Sequence, residues 1–339
     1  MRWIRRLFLA WSILALVAPS AGAQDTRVLI VVGLGGDPEY RETFHGWASA
    51  LRSAAMERFG VPEDRIVYLG ERPDEAPDMI QDRSTRENIA SALAAMAAKS
   101  GPQDRVLVVL IGHGSGQGES AQFNLPGPDL SPGDLDVFLN DFPTQVVAVV
   151  NTSPSSGPFV GGLAGENRIV VTATRTVQER NETQFGGFFV EALAAEGSDL
   201  DKDGRISLLE AFQYASREVD RYYEERNLLA TEHAQLEDDG DGTGSTEVGE
   251  DATDGWLARG FWLGSALGPA VASGVVPDSI TDPVLLRLYE ERAGLERRIS
   301  ELRALRGQME ETRYERELEE LLVAMALKSR EIREREGGG

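Results

Sequence analysis

Apolar residues in the first half of the chain gather in short unbroken runs. A run without polar alternation is the mark of a strand buried on both faces. Five such runs are predicted as strands: Arg27–Gly33, Arg65–Leu69, Arg105–Ile111, Gln145–Val150 and Arg168–Ala173. Between them, helical periodicity predicts helices over Glu39–Phe59, from Ser84 to about Ala98, over Pro132–Asn140 and over Gly157–Leu163. Ser84-Thr85-Arg86-Glu87 reads as a capping box with Ser84 at the cap and Glu87 three residues on. Alternation of this kind predicts an α/β fold: a mainly parallel sheet with helices on both faces, and ligands at the carboxyl ends of its strands.

Two of those strand ends carry polar, glycine-bearing loops. Val106–Gly116 (VLVVLIGHGSG) sets His113 between two glycines, and Val146–Gly157 (VVAVVNTSPSSG) offers Ser153 and Ser155 as hydroxyl nucleophiles. The glycines after the first strand match neither GxGxxG nor a GK[ST] loop, so nucleotide binding is not indicated. His45 and His233 have no partner at ligand spacing and read as packing or capping residues.

Beyond the sheet, helices are predicted over Gln184–Ala195 and Ser207–Glu225, with an acidic loop over Glu237–Asp254. The region 197–268 is expected to pack on an α/β domain of residues 24–196, and 269–282 reads as a linker. In the last segment, 283–336, Leu288, Leu295, Leu302 and Met309 recur every seven residues. Tyr314, Leu318, Leu321, Met325 and Ile332 continue an a/d-like pattern past Gly307. This predicts a helical hairpin or coiled coil, a surface for self-association.

Composition changes the picture in three ways. Residues 1–23 pair Arg2, Arg5 and Arg6 with the apolar Leu7–Val17 and end in Ala21-Gly22-Ala23, which reads as a cleaved signal peptide. The mature chain is therefore expected to be exported, periplasmic or extracellular, with no membrane span. The chain carries 34 basic and 56 acidic residues, a net charge of −22. Removing the three leader arginines takes that to near −25, a field that repels phosphate backbones and argues against nucleic-acid partners. There is no cysteine, hence no thiol nucleophile and no disulfide.

One acidic segment carries a specific pattern. Asp199, Asp201 and Asp203 fall at positions 1, 3 and 5 of an EF-hand loop, and Gly204 at 6 allows the sharp turn. Arg205 offers its carbonyl at 7, Ile206 is the apolar anchor at 8, Ser207 is at 9, and Glu210 closes the shell at 12. Predicted helices flank the loop, so calcium is the expected ligand. A looser fit starts at Asp239, with Asp241, Thr243, Gly244, Glu247 and Glu250 in frame but Thr246 at the apolar position. A flexible acidic loop is the simpler reading there, and a second cation site over 239–250 stays open because EF-hands usually occur in pairs.

His-Gly after one buried strand, Ser-Gly after the next, and the helix start Thr85-Arg86-Glu87-Asn88-Ile89 together resemble the legumain-like branch of the caspase-fold cysteine peptidases. The resemblance covers roughly residues 28–190 and implies a caspase-like sheet. It also implies a catalytic pair in which the His of the His-Gly loop activates a Cys in a Cys-x-Ser-Gly loop. His113, Ser156 and Gly157 match that arrangement, but the cysteine position falls on Pro154. The favoured reading is a catalytically inactive peptidase homologue that binds calcium and acts through a peptide or protein partner. Two alternatives stay open: a hydrolase using Ser153 or Ser155 with His113, and an envelope assembly protein working through its C-terminal helices.

Overall fold

The structure, a computed structural model, describes residues 24–118, 120–195, 197–200, 205–248, 252–264, 283–304 and 311–336. The leader, residues 201–204 of the EF-hand frame, Glu250, the linker 269–282, Gly307 and Met309 lie outside the described residues. None of the helices described is long and apolar enough to cross a membrane.

The chain is α/β. In sequence order the strands are β1 (Thr26–Val32), β2 (Ile66–Gly70), β3 (Asp82–Arg83), β4 (Arg105–Ile111), β5 (Gly114–Gln117), β6 (Ser120–Phe123), β7 (Val146–Asn151), β8 (Arg168–Thr172) and β9 (Gln235–Glu237). Seven of them form one sheet in the order β3-β2-β1-β4-β7-β8-β9, parallel throughout except for β9, which runs antiparallel to β8. The helices are α1 (Pro38–Ser53), α2 (Arg86–Ala97), α3 (Pro132–Leu139), α4 (Phe159–Leu163), α5 (Phe185–Ala194), α6 (Leu208–Glu225) and α7 (Trp256–Arg259).

The unbroken apolar runs fold as their composition requires, because each strand feeds two cores. Val28, Ile30 and Val32 of β1, with Leu107, Val109 and Ile111 of β4, join a cluster shared with α1, α5 and α6. Leu29 and Val31, with Val106, Val108 and Leu110, face the opposite cluster, shared with α2, α3 and α4. Fully burying one such side chain is worth about 1.5–3 kcal/mol, and a polar residue on either face would forfeit that. Helix α6 and Phe261 belong to the first cluster and β9 extends the sheet, so segment 205–264 shares the core of the α/β layer.

Several expectations from sequence shift. The long first helix ends at Ser53 and continues as a single π-helical turn, Ala54–Arg58. The loop after His113 folds back as the hairpin β5–β6, and β3 and β9 are strands too short for periodicity to register. The cap of α2 is Thr85, not Ser84: the Thr85 hydroxyl accepts the Asn88 N–H at 3.2 Å. Ser84 is fully buried, its N–H donates to the Gly70 carbonyl, and its hydroxyl has no partner. The cap sits one residue later because Ser84 is held by the neighbouring strand end, and no reciprocal box forms, since the Asn88 side chain donates to the Arg83 carbonyl.

The C-terminal helices, Pro283–Ala304 and Glu311–Glu336, bury Ile299, Leu302, Tyr314 and Leu321 against one another. Lys328, late in the second, pairs with Glu291, early in the first, at 2.9 Å, so the two run antiparallel as a hairpin.

Thr85→Ala is expected to lower stability by about 1 kcal/mol in urea denaturation. Ser84→Ala should be neutral or slightly stabilising, since it removes a buried hydroxyl that has no partner. The reverse order of effects would return the cap to Ser84.

Candidate functional site

Strands β4 and β7 are hydrogen-bonded neighbours, so their carboxyl ends deliver the His113 loop and the serine loop side by side. Gly114 makes the closest approach between them. A Cβ there would strike the Pro154 carbonyl oxygen and would lie 2.6 Å from Ser153 Oγ. No larger residue fits without parting the loops. The Thr152 N–H and hydroxyl both donate to the Leu110 carbonyl, at 3.0 and 2.9 Å, and this ties the serine loop back to β4.

The His113 ring is half-buried against the aromatic face of α1. Tyr40 and Phe44 meet it edge-on, with ring centroids 4.7 and 5.1 Å away. Tyr40 in turn donates its hydroxyl to Glu182 at 2.9 Å. Trp47, on the same helix, packs over Gly186 and Gly187 at the start of α5, where a Cβ at either glycine would crowd the indole. Among the described residues, neither ring nitrogen of His113 takes part in a hydrogen bond.

The serines are buried and their hydroxyls are engaged elsewhere. Ser153 Oγ donates to Asn151 Oδ1 at 2.7 Å. Ser155 Oγ donates to the Val177 carbonyl at 3.0 Å, and its N–H donates to the Glu179 carbonyl at 2.8 Å. Ser156 Oγ and Thr174 Oγ1 lie 3.1 Å apart. Ser155 has φ of 57°, a left-handed backbone costing a non-glycine residue about 1–3 kcal/mol, and such strain gathers at functional loops. The structure therefore brings His113 and the two candidate serines to the adjoining ends of β4 and β7 without joining them by a hydrogen bond. A serine hydroxyl becomes a nucleophile through an adjacent base, and these two protons are spent on other acceptors.

The other histidines are accounted for locally. His45 Nδ1 lies 2.9 Å from the Tyr68 hydroxyl and stacks on that ring, a packing role. His233 is an exposed pairing residue and neither packs nor caps: its Nδ1 lies 3.0 Å from Glu179 Oε1. Glu179 also accepts the Arg175 N–H, so this pair braces the segment that holds Ser155.

At the start of α6, Ser207 and Glu210 form a capping box. Glu210 Oε2 accepts from the Ser207 N–H and hydroxyl at 2.8 and 2.7 Å, and Oε1 accepts the Leu200 N–H at 2.8 Å. Asp199, Arg205, Ser207 and Glu210 are thus the ends of the EF-hand frame that the structure describes. Arg205 lies over the Trp262 ring at 4.6 Å, Ile206 is buried in the core, and Ser207 makes an antiparallel bridge to Trp262. Capping accounts for Ser207 and Glu210 without a metal, so the calcium reading rests on the twelve-residue pattern.

The looser frame from Asp239 folds differently. Residues 237–244 form a tight turn closed by a bridge between Leu236 and Ser245, and among the described residues no helix leaves it before Trp256. Periodicity also passed over Glu232, which is buried and accepts the Gln184 and Phe185 N–H groups at 2.8 and 3.1 Å, and the Tyr223 hydroxyl at 3.2 Å. It joins the start of α5 to α6.

No protein-family model matches the chain, and no curated protein matches its sequence. Among solved structures the chain is similar to a caspase-1 from Spodoptera frugiperda, 11% identical over 69% of this chain and 96% of that one, with a TM-score of 0.41. It is also similar to a structural-genomics target from Geobacter sulfurreducens, 14% identical over 63% of this chain and 92% of that one, also with a TM-score of 0.41. At these values the two are neighbours of this chain and nothing more.

Gly114→Ala is expected to cost about 1–3 kcal/mol by overpacking the two loops, read as a lowered urea midpoint. Burial is the main cause holding the Glu232 carboxyl above its ordinary range, with the two amides and the Tyr223 hydroxyl pulling it partly back. The folded chain thus holds that proton more tightly than the unfolded one. The stability it contributes is complete below the ordinary carboxylate range and is lost as pH rises through the raised value. Glu232→Gln should flatten the part of the stability profile that falls with pH above the ordinary carboxylate range. An unchanged slope would show that Glu232 titrates normally.

Proposed function

We propose that this chain is a calcium-binding, peptidase-like scaffold of the caspase type that holds a peptide or protein partner at the ends of β4 and β7 and does not cut it. One observation carries the reading. The Ser153 and Ser155 protons go to Asn151 and to the Val177 carbonyl, and neither nitrogen of His113 bonds to either serine. Pro154 stands where the family resemblance calls for a thiol, and proline has no nucleophilic atom. What remains at the strand ends is the half-buried His113 ring, set edge-on against Tyr40 and Phe44 with the left-handed Ser155 loop nearby, and that aromatic grouping suits contact with an apolar or aromatic side chain. The leader-like first 23 residues favour an exported setting. There, calcium is abundant enough to load the Asp199–Glu210 loop.

Calcium-loaded protein incubated with a broad peptide library should release no products, while His113→Ala weakens retention of the peptides it binds. Cleavage that disappears in His113→Ala and in a Ser153→Ala/Ser155→Ala double variant would replace this reading with a serine-using hydrolase. In calorimetric titration with calcium, Glu210→Ala should lose the binding contributed by that loop. Equal binding by the variant and the wild type would remove the EF-hand assignment.

A further inference from the structure

Outside the cleft and the EF-hand frame, three carboxylates meet at the far edge of the sheet. Glu237 is the last residue of β9, Asp239 sits two residues on in the turn, and Asp254 arrives from the segment preceding α7. One carboxylate oxygen from each lies within 4.8 Å of the others. Oxygens 2.3–2.6 Å from one calcium ion are at most about 5 Å apart, so the three can share a single ion.

The local hydrogen bonds decide which oxygens are spoken for. Glu237 Oε1 accepts the Gly240 N–H at 2.6 Å and the Gly242 N–H at 3.4 Å. Both glycines adopt positive φ, 86° and 79°, so the turn wraps the carboxylate closely. Asp254 Oδ1 accepts the Asp238 N–H at 3.0 Å, and Oδ2 accepts the Ser245 hydroxyl at 2.5 Å. Asp239 is exposed and uses Oδ1 for the Asp241 N–H. Asp238 stands outside this grouping, its two oxygens accepting the Gly255 and Ala258 N–H groups, both at 2.8 Å.

One buried oxygen is left over. Glu237 has no exposure at all, and its Oε2 is buried without a hydrogen-bond partner. No arginine or lysine among the described residues forms an ion pair with Glu237, Asp239 or Asp254. A buried carboxylate oxygen with neither donor nor counter-charge, next to two further carboxylates, is costly unless something positive reaches it. Two species relieve such a site: a proton on Glu237 or a hard cation shared by all three.

We propose that Glu237, Asp239 and Asp254 form a divalent-cation site, separate from the Asp199–Glu210 loop, that takes calcium. An all-oxygen carboxylate set suits hard cations. Calcium tolerates the irregular arrangement of a turn and a loop and fills its remaining positions with carbonyls or water, whereas magnesium demands near-octahedral geometry. The site is independent of the EF-hand reading, since it shares no residue with that loop. The site joins the acidic turn to the segment that starts α7, where Gly255 packs against Leu209 of α6.

The test is calcium calorimetry on chelator-treated full-length protein near neutral pH, comparing wild type with Glu237→Gln, Asp239→Asn and Glu210→Ala. Asp239→Asn is included because Asp239 is exposed and an asparagine still accepts the Asp241 N–H, so the turn survives even if Glu237→Gln perturbs folding. Glu237→Gln and Asp239→Asn should each weaken one class of calcium site at least tenfold while circular dichroism stays unchanged, and Glu210→Ala should leave that class intact. Loss of binding in the Glu237 and Asp239 variants alone would support this site even if the EF-hand reading failed. Wild-type binding in a folded Asp239→Asn variant, or no calcium binding that Glu210→Ala spares, would overturn it in favour of a proton held on Glu237.

Discussion

The close approach of Gly114 to the Ser153–Pro154 backbone is the contact on which the cleft depends. It exists because β4 and β7 are paired in register from Arg105 and Val146 onward, so both strands run out at the same edge. Each strand is apolar on both faces, which leaves all the polar chemistry to the loops beyond. The Thr152 bonds to Leu110 lock the second loop against the first, and the Glu179–His233 pair braces it from outside. The cleft is therefore a rigid junction of two loops, and its side chains have little freedom to rearrange into a nucleophile–base pair.

That rigidity limits what the serines can do. A serine beside Pro154 would need to surrender a hydrogen bond that now holds the loop before its proton could pass to His113. Ser155 would do so from a left-handed backbone fixed by two bonds to the 177–179 segment. The hydroxyls serve architecture, holding the serine loop to Asn151 and to the 177–179 segment. The acidic turn at the opposite edge of the sheet adds a second chemistry, in which charge is gathered by backbone geometry and left for a cation to balance.

Much of this was legible in the chain. The parallel sheet, its two-sided burial and the loops at the ends of β4 and β7 follow from unbroken apolar runs that stop at glycine. What escaped was set by contacts between distant residues. β9 is three residues long and is a strand because β8 offers it an edge. Ser84 and Thr85 are equally good caps on paper, and only the anchoring of Ser84 to Gly70 decides between them. The Glu237, Asp239 and Asp254 grouping spans a separation with no local period, so a twelve-residue frame laid over the same acids selected Asp241, Glu247 and Glu250 beside Asp239.

Whether the serine hydroxyls are structural or chemical is the question nearest the centre of this account. A fluorophosphonate probe reacts covalently with serines activated by a base, and intact mass spectrometry counts the adducts directly. Applied to the folded, calcium-loaded protein, the probe should leave the mass unchanged. An adduct mapped to Ser153 or Ser155, and abolished by His113→Ala, would contradict the account and make the cleft an active site.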